Sequence, residues 1–310
     1  MHSKSCLLCG SKSFVKILEI NGAPINIQKV LKGHELANDH KIDITLLRCT
    51  ACNLYQLGDL GVVPKDYYED YLMTTSFSKQ INIYVEGLAK SLIEKYNLKQ
   101  KTIYEIGCGD GIFCEYLNKH GAITVGVEPS AVFGKLAEGK GIKVIYDYFT
   151  ENLAIPEQSV DAIVSRAVFE HLKNPNEILK AMHKFLKKGG IGLIEVPSFE
   201  KAIKFDRYYD IFSDHVAYYT KETLTHLVSR NNFEVLDIFD SYNDEFLVII
   251  FRKKDPLDEP KFMKNFEIYK KDFNNKINEF VSKKQSIAIW GAGGKGLALL
   301  SMSNLNSNTI

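Results

Sequence analysis

The sequence lacks any apolar run approaching the ~20 residues needed to span a bilayer, and its start, MHSKSCLLCG, lacks the apolar region of a signal peptide. These absences predict a cytoplasmic chain with no membrane partner. Net charge is nearly absent too, because 39 Lys and Arg face 38 Asp and Glu and leave +1 at pH 7. The lysines are dispersed among acids, as in KKDFNNKINEF, so no extended basic face for nucleic acid is expected and the anticipated partner is a small molecule. Internal repeats and low-complexity tracts are missing as well. What remains is a chain of 310 residues, 45% hydrophobic and 25% charged, long enough for two domains and a substantial core.

The six cysteines divide unevenly. Cys6 and Cys9 form one C-x-x-C and Cys49 and Cys52 a second, each followed by a residue that tolerates positive φ, Gly10 and Asn53. Two such knuckles supply four sulfurs to one tetrahedral metal and leave no position for water, so a zinc held there is structural. Two disulfides or four buried thiols are the alternatives, and the shared spacing in a cytosolic chain favours zinc. Cys108 and Cys114 read as packing residues.

The segment between the pairs (FVKILEI, INIQKVL, DITLLRC) alternates like short strands and predicts a zinc-binding module over 1–71. From Phe77 to Tyr96 the spacing of Ile81, Tyr84, Val85, Leu88 and Leu92 is helical. Strands then alternate with helices at TIYEI, ITVGVE, KVIYD, VDAIVS and GIGLIEV, and FEVLDIFD and EFLVIIFR close the pattern as a hairpin. The expected fold is α/β, a doubly wound and mostly parallel seven-stranded sheet with helices on both faces over 72–253. Residues 254–310 add an amphipathic helix, with Phe262, Phe266, Tyr269, Phe273, Ile277 and Phe280 on one stripe, and a partial C-terminal α/β segment beginning with the strand SIAIW.

The stretch YEIGCGDGIFCEYL carries the ligand question. A triphosphate loop needs Gly-Lys-Ser/Thr, whereas Ile112 and Phe113 follow Gly111, and a dinucleotide fingerprint needs glycine where Ile112 stands. The pattern is E-x-G-x-G-x-G, with Gly107, Gly109 and Gly111 after Glu105 and a second acid, Glu128, closing the next strand. A carboxylate before the first glycine repels a pyrophosphate but suits an ammonium, and Glu128 can accept from ribose hydroxyls. The combination fits S-adenosylmethionine, although any doubly wound sheet has Gly-rich turns after its first strand. Asp147 and Ser165, closing the third and fourth strands, complete the expected donor set.

EIGCGDG, VGVEPS, VDAIVSRAVFEHL and GGIGLIEVPS together resemble the class I S-adenosylmethionine methyltransferases. CLLC, CTACNLYQLG and DHVAYYT narrow the resemblance to the three-domain zinc-containing sugar C-methyltransferases, and the likeness covers essentially the whole chain. It implies methylation at C3 of a nucleotide-linked 4-keto deoxysugar through an enolate, with a zinc module and a C-terminal domain flanking the catalytic one. Relatives carry Asn, Tyr and Glu where Ala167, Phe212 and Asp214 stand, which predicts different polar contacts to the sugar. They also continue past the C-terminal Gly-rich loop, so the last domain is expected to be truncated at Ile310. In that loop, WGAGGKG matches G-x-G-x-x-G at Gly291, Gly293 and Gly296, but no ribose-binding acid follows, so it reads as a packed strand-turn-helix.

Candidate chemistry lies at the carboxyl ends of the strands, where open sheets form their crevice. His215 is the expected base, since a neutral imidazole with a pKa near 6.5 suits removal of a proton next to a ketone. Asp214 is expected to orient the site or contact the sugar, Tyr218 and Tyr219 to donate to the developing oxyanion, and His171 to be the reserve base. Methylation of a saccharide hydroxyl is the alternative, and a zinc-ribbon RNA-binding protein or RNA methyltransferase a more distant one.

Overall fold

The computed structural model describes residues 5–26, 31–34, 36, 39–59, 76–254, 259–286 and 293–302. They divide into two compact units, Met1–Lys254 and Asp255–Ile310.

In the first unit, α1 (Lys79–Lys95) starts where the Ser78 hydroxyl accepts from Ile81 N, and it buries Val85, Leu88, Ala89, Leu92 and Ile93, the face that the spacing predicts. The strands that follow are β4 (Thr102–Ile106), β5 (Ile123–Val127), β6 (Lys143–Ile145), β7 (Val160–Arg166) and β8 (Leu186–Pro197). The hairpin is β10 (Phe233–Ser241) and β11 (Phe246–Lys253). They form one seven-stranded sheet in the order β10-β11-β8-β7-β4-β5-β6, parallel from β8 through β6 and antiparallel at the hairpin. Alternate residues of the central strands feed two cores. Ile163, Ile194 and Val196 pack with Leu179, Phe185 and Leu224 on one face, whereas Ala162, Val164 and Leu193 pack with α1 on the other. Burial on both faces accounts for the nearly continuous apolar strands.

The N-terminal segment builds a second sheet from β1 (Phe14–Pro24), β2 (Lys41–Cys49) and β3 (Tyr55–Leu57). Its fourth strand, β9 (Ala217–Tyr218), comes from the far side of the parallel sheet's sequence, pairing Tyr55 with Tyr218 and Gln56 with Ala217. INIQKVL is not a strand where it is described, since Ile25, Asn26 and Leu31 are irregular and residues 27–30 lie outside the described residues. Polar anchors tie the first knuckle down. Gln56, fully buried, accepts from Leu7 N at 2.9 Å, and Asn176 Nδ2 donates to the carbonyls of Leu7 and Leu8 at 3.0 and 3.1 Å.

The second unit contains α7 (Glu259–Ser282) and α8 (Gly294–Met302). Along α7 the expected stripe divides: Ile277 is buried, Phe266 and Phe273 are half-buried, and Phe262, Tyr269 and Phe280 are exposed. The SIAIW strand after Ser286 and Gly291 of the last loop lie outside the described residues, and α8 begins directly after Gly293. Among the described residues no helix is long and apolar enough to cross a membrane.

Candidate active site

Gly107, Gly109 and Gly111 all adopt positive φ, at 65°, 53° and 78°. At two of them space is restricted as well. A Cβ on Gly107 would lie 2.6 Å from Val168 Cγ2, and one on Gly111 would lie 2.8 Å from Ala137 Cβ. Side chains are therefore excluded by conformation and by packing together. Nothing lies within 4 Å of a Cβ built on Gly109, so the loop is open on that side. Gly111 is the N-cap of α2 (Ile112–Lys119), and the loop passes straight into the helix.

Glu128, just past β5, braces this loop. Its Oε2 accepts from Gly109 N at 2.9 Å and its Oε1 from Ser130 N at 2.8 Å, and each oxygen keeps acceptor capacity for a ligand hydroxyl. Burial pushes its pKa above the usual carboxylate range, against those two backbone donors. Asp147 lies exposed just beyond β6, accepting from Tyr148 N at 2.7 Å. Ser165, near the end of β7, is fully buried, and its hydroxyl has no hydrogen-bond partner among the described residues. The loop, Glu128, Asp147 and Ser165 thus lie along the carboxyl ends of the adjacent strands β7, β4, β5 and β6, with the loop open on the Gly109 side and Ser165 enclosed. Glu105 is enclosed, taking a hydrogen bond from Cys114 Sγ at 3.1 Å, and burial raises its pKa to about 7. It is not the exposed partner for an ammonium that its place before the loop suggests.

A buried polar network unanticipated by motif reasoning crosses the same strand ends. Arg166 donates to Glu195 Oε1 through Nε at 2.9 Å and Nη2 at 2.7 Å, and stacks 5.0 Å over the Phe113 ring. Tyr84 of α1 donates to the other Glu195 oxygen and contacts Ser241 Oγ at 2.8 Å. The signal was two opposite charges closing neighbouring apolar strands, and Arg166 and Glu195 are indeed register partners.

Beside this edge lies a cavity of about 260 Å³, lined by Glu170, Ser198, Arg207, Phe212, His215 and Tyr218 among others. The segment Asp214–Tyr219 is held from three sides: Val216 N donates to Glu170 O at 2.8 Å, Leu57 N donates to Val216 O at 3.0 Å, and Phe199 N donates to Tyr219 O at 3.1 Å. His215 therefore faces the cavity in a fixed position. Burial, with His171 adding to it, holds its imidazole well below the ordinary histidine range, so it is neutral near neutral pH and a weaker base than a free imidazole. His171 packs edge-on against it with ring centroids 4.8 Å apart. Asp214 is fully enclosed; its carbonyl lies 3.0 Å and its carboxylate 3.7 Å from His171 Nδ1. His171 thus packs on His215, and Asp214 in turn contacts His171.

The two tyrosines are placed differently from expectation. Tyr218 OH accepts from Phe212 N at 2.9 Å and donates to Phe212 O at 3.1 Å, while Tyr219 OH donates to Phe169 O at 3.4 Å. Both phenol protons are committed to the main chain. Glu170, which motif reasoning passed over although it adjoins His171 in FEHL, does line the cavity.

Away from the cavity, Cys6, Cys9, Cys49 and Cys52 converge, with all four sulfurs within 4.8 Å of one another. Cys6 Sγ to Cys52 Sγ is 3.5 Å and Cys9 Sγ to Cys49 Sγ is 3.6 Å. Zn–S bonds of about 2.3 Å place tetrahedral sulfurs about 3.8 Å apart, so these residues fit one such ion, whereas a disulfide needs about 2.05 Å. Burial pushes the Cys6 thiol up to about 11, a penalty that a bound cation would remove.

A family model described as a methyltransferase domain matches residues 81–238, half of the chain, running from α1 into β10. C-methyltransferase NovU of Streptomyces niveus is 20% identical over 334 aligned positions, covering 98% of this chain and 79% of that protein. A ubiquinone biosynthesis O-methyltransferase of Pseudomonas syringae pv. tomato is 34% identical over 104 residues, 31% of this chain and 44% of the relative. The solved structure of the PH0226 protein from Pyrococcus horikoshii OT3 matches 62% of this chain and all of its own with a TM-score of 0.51 at 18% identity, which shows a shared fold. With the family match falling on the Gly-rich loop, Glu128 and the five parallel strands β4 to β8, the chain belongs to the methyltransferase domain family and is an S-adenosylmethionine-dependent methyltransferase.

Proposed function

We propose that the enzyme methylates carbon, at the position next to the ketone of a nucleotide-linked 4-keto deoxysugar, and that a structural zinc bound by Cys6, Cys9, Cys49 and Cys52 stabilises its N-terminal sheet. The observation that carries this reading is the buried, neutral His215 at the wall of a small cavity that Pro197, at the carboxyl end of β8, also lines. At about 260 Å³ the cavity is smaller than the roughly 300–1,000 Å³ of drug-sized sites, which suits one sugar ring with the rest of the substrate outside. The similarity to a C-methyltransferase across nearly the whole chain supports the same reading.

The bound sulfonium supplies an activated methyl group with a neutral leaving group. Gly107, Gly109, Gly111, Glu128, Asp147 and Ser165 would hold that donor. What the chain must add is a nucleophile in line with it. His215 takes the proton from the carbon next to the ketone, and Asp214 with His171 keeps its ring aimed at the cavity. The test is incubation of a nucleoside diphosphate 4-keto-6-deoxyhexose in heavy water without donor. Deuterium should enter the carbon next to the ketone, and His215→Asn should lose exchange and methylation while retaining S-adenosylmethionine affinity. Methylation at a hydroxyl with no such exchange would instead establish a saccharide O-methyltransferase.

A further inference from the structure

An enolate needs a hydrogen-bond donor at its oxygen, and the hydroxyls of Tyr218 and Tyr219 are engaged by the Phe212 and Phe169 carbonyls. The cavity wall offers another group. Glu170 sits on the 3-10 turn Phe169–His171 that follows β7, is 2% exposed, and has a buried Oε2 with no hydrogen-bond partner among the described residues. A buried polar atom without a partner is costly and rare, so one at a ligand cavity marks a place where the ligand completes the bond. Its turn is anchored on both sides, since Glu170 O accepts from Val216 N at 2.8 Å and Val168, directly before the turn, packs on Gly107 of the donor loop. Glu170 thus lies between the methyl donor's loop and the His215 segment.

Resting on the carbon-methylation reading above, we propose that Glu170 is a catalytic residue whose protonated Oε2 donates to the ketone oxygen of the acceptor while His215 removes the adjacent carbon-bound proton. Electrons from the broken C–H bond form the C=C bond and the carbonyl π pair moves to oxygen, which takes the Glu170 proton. When the carbon attacks the methyl group, the S–CH3 bond breaks with its electrons on sulfur, the carbonyl re-forms and Glu170 regains its proton. The proton on His215 is the one released. Burial favours the required neutral carboxyl by raising Glu170 to about 7, with Asp214 and Glu195 adding to the effect and His171 opposing it. The remaining titratable neighbours are His215, Tyr218 and Tyr219 on the Asp214 segment and Arg207, Asp210 and Glu245 around the cavity.

The experiment uses the full chain and a nucleoside diphosphate 4-keto-6-deoxyhexose. Glu170→Ala should slow both deuterium exchange and methylation roughly 100- to 1,000-fold, the effect of removing one oxyanion donor, with S-adenosylmethionine affinity unchanged. Glu170→Gln, nearly the same shape, can donate but cannot transfer a proton, so it should recover part of the rate. The unaltered enzyme should lose rate above about pH 7, and Glu170→Gln should abolish that fall. Wild-type exchange in Glu170→Ala, or an unchanged high-pH limb in Glu170→Gln, overturns the proposal. So does a second equivalent of divalent metal per chain lost on substitution of Glu170, because Glu170, His171 and His215 have ligand atoms within 4.8 Å of one another and a bound ion would keep the carboxylate ionised. If the unaltered enzyme methylates a hydroxyl without exchange, the carbon-methylation reading has failed, and this role for Glu170 with it.

Discussion

Replacing Glu128 with alanine separates two jobs that one carboxylate performs. Its oxygens accept from Gly109 N at 2.9 Å and Ser130 N at 2.8 Å, and the residue is 7% exposed. Removing both acceptors strands two backbone donors at about 1–3 kcal/mol each, although water can enter on the open side of Gly109, so roughly 2–4 kcal/mol of stability should be lost. Donor binding should lose a further charge-assisted hydrogen-bond site, about 1.5–3 kcal/mol or roughly 10- to 100-fold in Kd. Glu128→Gln should rescue neither fully, because its amide group must point at one of two N–H donors and cannot accept. Urea denaturation measures the first loss and calorimetry with S-adenosylmethionine and its demethylated product measures the second. Unchanged affinity in Glu128→Ala would refute the placement of the ribose on this residue, and full rescue by Gln would refute the bracing argument.

Metal analysis should find one zinc per chain, and chelation should unfold the N-terminal sheet and disturb the His215 segment, which β3 holds through β9; a metal-free chain with unaltered near-UV circular dichroism would contradict this. Stability should fall as pH rises from about 4.5 to about 7, because Glu105 and Glu170 carry folded-state pKa values near 7 against ordinary values of 4.5 and the native state there binds more protons than the unfolded one. Denaturation of Glu170→Gln across that range should show a shallower dependence, and a slope identical to the parent's would count against the burial argument. Gly107→Ala should destabilise by about 1–2 kcal/mol from left-handed backbone and a further 1–3 kcal/mol from the clash with Val168. Val168→Ala should relieve only the clash, so a double-mutant cycle with no coupling would show that the 2.6 Å contact is not the cause.

The parts of the fold that were legible in the sequence are those set by local physics. Apolar periodicity placed α1 and the seven strands of the large sheet, and the hairpin fell where the connection Ser241 to Asp244 interrupts two apolar runs. The C-x-x-C pairs announced four converging sulfurs, and glycine at 107, 109 and 111 announced a loop after the first parallel strand, where the structure has three positive φ angles. At its described ends, Ile25, Asn26 and Leu31, INIQKVL forms no strand, because alternation alone does not supply a pairing partner.

What only the tertiary structure decided are the meetings of remote segments. Nothing local to Tyr55 and Gln56 says that their strand pairs with Ala217 and Tyr218, yet that pairing fixes His215 at the cavity. The acid Glu105 became an interior residue because α2 brings Cys114 onto it, and the tyrosines beside His215 lost their free hydroxyls to carbonyls of Phe169 and Phe212. Glu170 gained its importance the same way, through an oxygen left without a partner at a cavity wall. Backbone conformation and side-chain period depend on near neighbours and are written in order along the chain. Whether a polar atom ends buried, paired or facing a ligand depends on which distant side chains fill the space around it, and folding alone sets that.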